Sequence, residues 1–66
     1  IKIMSKVERE VNQVLGQYFD VVNQSSDSTK DIYRTLWEIY EDEFDADEER
    51  DGKIFDRMVG DFIKNN

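Results

Sequence analysis

Apolar positions recur along this chain with a helical period in three blocks. In the first block, Met4, Val7, Val11, Val14, Tyr18 and Val21 follow one another at spacings of three and four, nearly three heptads of a seam. Leu15 and Val22 widen the seam on one side. The pattern predicts a first helix over about residues 2–22, its seam packed either inside a bundle or against a second copy of the chain. Gly16 and Phe19 fall off the seam, three residues apart, on the expected outer face. A glycine in mid-helix costs about 1 kcal/mol relative to alanine, and a bare backbone beside an exposed Phe would admit a partner closely. The polar run Asn23-Gln-Ser-Ser-Asp27 breaks the period and reads as the short loop of an antiparallel helical hairpin.

The second block begins at Ser28. Ser28-x-x-Asp31 is a capping-box-like start, with Asp in place of the usual Glu. Ile32, Tyr33, Leu36, Trp37, Ile39, Tyr40 and Phe44 follow, predicting a helix over about residues 29–44. At about 100° per residue they fill an arc of roughly 160°, wider than the stripe of a little over ~100° that a core-facing helix needs. One edge is aliphatic (Ile32, Leu36, Ile39) and the other aromatic (Tyr33, Trp37, Tyr40, Phe44). Either this helix lies at the centre of a bundle, or its aromatic edge faces a partner. Trp and Tyr anchor contact surfaces because they bury much area with few rotors to freeze.

The third block is Ile54, Phe55, Met58, Val59, Phe62 and Ile63, ending near Lys64, whose charge suits a helix C-terminus. Two starts compete. Asp45-x-x-Glu48 would cap a helix beginning at Ala46, whereas Asp51-Gly52 would make a turn before a helix beginning at residue 52 or 53. Acids over residues 45–51 suit a helix N-terminus and favour the earlier start. Three helices in one domain spanning residues 1–66 predict an all-α fold, a small antiparallel three-helix bundle.

Charge then changes the picture. Glu41, Asp42, Glu43, Asp45, Asp47, Glu48, Glu49 and Asp51 stand against Arg50 alone, which is half of the chain's 16 acids in one short run. A helix of that length spans about 16 Å, so its linear charge density is comparable with the one charge per ~1.7 Å of duplex DNA. The net charge of −7 argues against direct binding of nucleic acid or anionic lipid. An ordinary acidic face that keeps the protein soluble competes with a surface for a basic partner.

With 66 residues the core is thin, and proteins this small usually add a disulfide, a metal or a second copy. There is no Cys and no His, so disulfides, thiolate sites and the commonest zinc and general-base ligands are missing. A homodimer is therefore the expected device. No apolar run approaches a membrane span, so a cytoplasmic protein is expected.

Asp47-Glu-Glu49-Arg-Asp51-Gly52-Lys-Ile54 resembles the first two-thirds of an EF-hand calcium loop. That resemblance implies Asp47, Glu49 and Asp51 as oxygen ligands, Gly52 as the sharp turn and Ile54 as the apolar eighth residue. The closing bidentate carboxylate is replaced by Met58, which cannot ligate, so no metal and no cofactor is expected. No Ser, His and Asp set or phosphate-cradling glycine loop is present, and an enzyme is not expected. The expected function is a non-enzymatic, acidic protein–protein interaction module. In make-up it is similar to the small inhibitors and antagonists of phages and mobile elements, acting as a DNA mimic on the nucleic-acid-binding surface of a target. Its partner-binding residues would be Tyr33, Trp37, Tyr40, Glu41, Phe44, Asp45, Asp47, Glu48, Glu49 and Asp51. The alternatives are a structural or assembly subunit and a degenerate EF-hand-like calcium binder.

Overall fold

The computed structural model describes residues 4–65, and these form three α-helices and no strand. They are α1 (Lys6–Ser25), α2 (Thr29–Glu43) and α3 (Glu48–Lys64). The all-α three-helix expectation holds. The expected beginning of the first helix at residues 2 and 3 lies outside the described residues.

Each start is set by a small polar side chain. Ser5 caps α1 in a full capping box: its Oγ accepts from the Glu8 N–H at 3.2 Å, and its own N–H donates to Glu8 Oε1 at 2.9 Å. At α2, Ser28 Oγ accepts from the Asp31 N–H at 3.2 Å, but the return bond is missing. An Asp carboxylate is one methylene shorter than Glu, and Asp31 accepts instead from Arg34 Nη2 at 3.1 Å. Asp47 caps α3, accepting from the Glu49 N–H at 3.0 Å. Neither of the two competing starts is the observed one: the cap is Asp47 rather than Asp45, and α3 begins two residues after Ala46, nearer the earlier alternative. At the far end of α1, Ser25 Oγ donates back to the Val21 carbonyl at 2.9 Å and the helix closes without glycine.

The core is built from Val11, Val14, Leu15, Phe19 and Val22 of α1, Ile32, Leu36 and Tyr40 of α2, and Phe55 and Val59 of α3. The central helix is α1, which packs on both others, while α2 and α3 meet only sparingly. This arrangement corrects the outer face expected for α1. Phe19 is 2% exposed and its ring lies 4.6 Å from that of Phe62, whereas Val21, placed on the seam, is 66% exposed. Two neighbours bury a wide arc, and α3 covers the Leu15 and Phe19 side of the seam rather than the Val21 side. Gly16 does face open space, but no exposed Phe stands beside it.

Trp37 meets Phe55 edge-on at 4.9 Å, and Tyr40 stacks on Phe55 at 5.8 Å. A Cβ at Gly60 would come within 3.0 Å of the Tyr33 hydroxyl, so the bare α3 backbone there lets Tyr33 lie close. These pairings make α2 and α3 antiparallel, with the acidic connection at the end where α2 stops and α3 starts.

Candidate interaction surface

The connection from Phe44 to Asp47 is short and rich in charge, and two adjacent residues of α3 hold it in place. Asp51 is 0% exposed, on the same face of α3 as Phe55 and Val59. Its carboxylate accepts from Arg50 Nε at 2.8 Å, from Arg50 Nη2 at 3.0 Å and from the Asp47 backbone N–H at 3.1 Å. Arg50 Nη2 also donates to the Asp45 carbonyl at 3.2 Å. Arg50 and Asp51 therefore staple both sides of the connection to the first turn of α3. The Arg50 hydrogen bonds and charge hold the Asp51 carboxyl below the usual carboxylate range against the opposing effect of burial. Asp51 in turn raises the pKa of the Arg50 guanidinium.

Around this staple stand Glu41, Asp42, Glu43, Asp45, Asp47, Glu48 and Glu49, all exposed. None of them forms an ion pair among the described residues. Arg50 is matched by Asp51, and the rest of the chain carries eight bases and eight acids, so residues 41–51 alone carry a formal charge equal to the whole net charge of −7. Glu41, Asp42 and Glu43 occupy the last turn of α2, which has no basic residue. Acids are disfavoured there by the partial negative charge of the helix C-terminus. Glu48 and Glu49, in the first turn of α3, are favoured by the opposite pole.

The aromatic edge of α2 divides. Tyr40 is 0% exposed and donates its hydroxyl to Glu10 Oε1 at 3.3 Å. Burial first, then the carboxylates of Asp51 and Glu10, push its pKa up to about 12. Tyr33, Trp37 and Phe44 are half-buried and keep part of their rings at the surface.

Of the residues expected to bind a partner, Glu41, Asp45, Asp47, Glu48 and Glu49 thus share an exposed acidic belt, with Tyr33, Trp37 and Phe44 partly accessible. Tyr40 and Asp51 do not belong to the surface: both side chains are inside and serve the fold. Asp42 and Glu43 join the belt although the expected set omits them. The staple had a signal in the sequence, since Asp51 lies four residues before Phe55 on the apolar stripe of α3. The acidic run that precedes it masks it.

The stretch that resembles a calcium loop is the N-cap and first turns of α3. Gly52 has no positive φ, and the Asp51 carboxylate is taken by Arg50. Among the described residues no group of three or more potential metal ligands converges. No helix among them is long and apolar enough to cross a membrane.

No known family model, curated protein or solved structure matches this chain.

Proposed function

We propose that the protein is a non-enzymatic docking module whose acidic belt covers a basic, nucleic-acid-binding surface of another protein, as an inhibitor or antagonist of the DNA-mimic kind. The observation that carries this reading is the concentration of a formal charge of −7 within residues 41–51, on seven exposed carboxylates of which none forms an ion pair among the described residues. A charge used only for solubility has no reason to gather at one pole, nor to crowd the C-terminal turn of α2 where the helix dipole opposes it. A dense field of one sign steers a basic partner to this end and speeds association, with a strong dependence on salt.

The test compares the wild-type chain with Glu43→Gln/Asp45→Asn/Glu48→Gln/Glu49→Gln, which spares the Asp47 cap and the buried Asp51. Partners are captured from the native cell at low and high salt. The captured protein is then challenged with duplex DNA while its association rate is followed. The expected partner is basic, is released by DNA, and associates with the variant at least about tenfold more slowly and with a flatter salt dependence. A partner that DNA does not displace, or one whose association ignores the four neutralisations, sinks this reading.

An assembly subunit is the second reading, favoured by the half-buried Trp37 and Tyr33 beside the sparse α2–α3 contact. A subunit would hold its partner through apolar area, with affinity little changed by salt.

A further inference from the structure

Beside the contact of Trp37 with Phe55, α2 and α3 leave a groove of about 390 Å³ between them. Tyr33, Trp37 and Phe55 provide its apolar walls, and Glu48 and Asp56 line it from α3. Both carboxylates are exposed, and neither forms an ion pair among the described residues. Lys30 and Arg34 line the groove from the first half of α2, which the antiparallel packing puts farthest from the acidic connection. The groove is therefore basic at one end and acidic at the other. Its acidic end runs into the belt, because a shallow neighbouring recess shares Glu48, Gly52 and Asp56 with it.

Gly52 supplies an independent observation. It lies within α3 without a positive φ, and a Cβ there would meet nothing nearer than Glu48 Cγ at 3.8 Å, an ordinary contact. Neither backbone nor packing calls for glycine, which costs a helix interior about 1 kcal/mol relative to alanine. Its missing side chain keeps the groove open between Trp37 and the two carboxylates.

We propose that this groove receives an arginine side chain from the basic partner, its guanidinium laid on the Trp37 ring and donating to Glu48 and Asp56. The proposal rests on the docking function above and names the anchor that function uses. Arginine suits the site better than lysine: its planar group stacks on an aromatic face and forks towards carboxylates, whereas the ammonium is a more strongly hydrated point charge. Lys30 repels a cation from the opposite end, where Arg34 is already paired with Asp31, and so defines where it seats.

Trp37 is the chain's only tryptophan, so its emission reports on the groove directly. The full chain is titrated at low salt with an oligo-arginine and an oligo-lysine peptide of equal length. Both bind through the belt, but the arginine peptide binds about fivefold tighter and alone shifts Trp37 emission to saturation. Asp56→Asn and Gly52→Leu each abolish that preference and the emission response, with circular dichroism reporting whether the helices are kept. If Gly52→Leu loses its helices, Asp56→Asn carries the test. Equal affinities with Trp37 unmoved overturn the arginine seat and leave the belt's docking role standing. Failure of both peptides to bind overturns the seat and the belt alike.

Discussion

Asp51 and Tyr40 lie near one another at the acidic end of the core, and each makes the fold sensitive to a different limb of pH. The Arg50 hydrogen bonds depress the Asp51 carboxyl, so its contribution is present above the ordinary carboxylate pKa of about 3.9 and is lost as pH falls through the lower folded value. Tyr40 is raised to about 12, so the neutral phenol stabilises the fold below the ordinary value of about 10, and this contribution is lost as pH climbs to about 12. The expected loss on the alkaline limb is on the order of 2–3 kcal/mol. Urea midpoints measured across pH should show both limbs. Tyr40→Phe should flatten the alkaline one. Asp51→Asn should make the acid limb shallower and cost about 2 kcal/mol at neutral pH, because hydrogen bonds to a charged group are lost while the exposed Arg50 regains water. A variant as stable as wild type at neutral pH would mean that the staple does not hold the connection.

At the scale of the helix, the last turn of α2 sets local stability against surface charge. Glu41, Asp42 and Glu43 sit where the dipole prefers cations, and each such mismatch costs about 0.3–1 kcal/mol at low ionic strength. Glu41→Gln/Asp42→Asn/Glu43→Gln should therefore raise stability by about 1 kcal/mol in low salt, with the gain shrinking as salt is added, and should slow association with a basic partner. A thermal melt that falls on neutralisation would show that these acids support the helix instead. The three helices are legible because each apolar block has a 3.6-residue period, but their ends are not: α1 begins only at Lys6 and runs on through Asn23–Ser25, expected as loop. The Ser5–Glu8 box escaped notice because the apolar seam runs back through Met4 and conceals the boundary. The start of α3 stayed open because Asp45, Asp47 and Asp51 can each cap or turn a chain, and the choice of Asp47 depends on where Asp51 finds Arg50.

For the molecule as a whole, the position of α1 matters most. Because α1 lies against both other helices, its seam is used inside the bundle, with Val11, Val14 and Val22 buried. The surface available for a second copy shrinks to scattered residues such as Val21, and sedimentation of the pure chain should give a species near 7.9 kDa. A concentration-dependent dimer whose interface shields Trp37 would favour the assembly-subunit reading. The same placement of α1 leaves α2 and α3 apart, which opens the groove and keeps Tyr33, Trp37 and Phe44 partly at the surface.

Helical class, number of helices, the Ser28 cap and the acidic tract follow from local spacing and composition, because a helix and its charges are defined within a few turns of chain. The rotation of each helix about its axis does not. Spacing along the chain puts Val21 on the seam and Phe19 outside it, and the position of Phe62 on α3 buries Phe19 while Val21 is left in water. Likewise eight acids within residues 41–51 look alike until packing withdraws Asp51 into the interior and matches it with Arg50. Burial depends on which neighbour arrives from a distant part of the chain, and no period along the backbone carries that information.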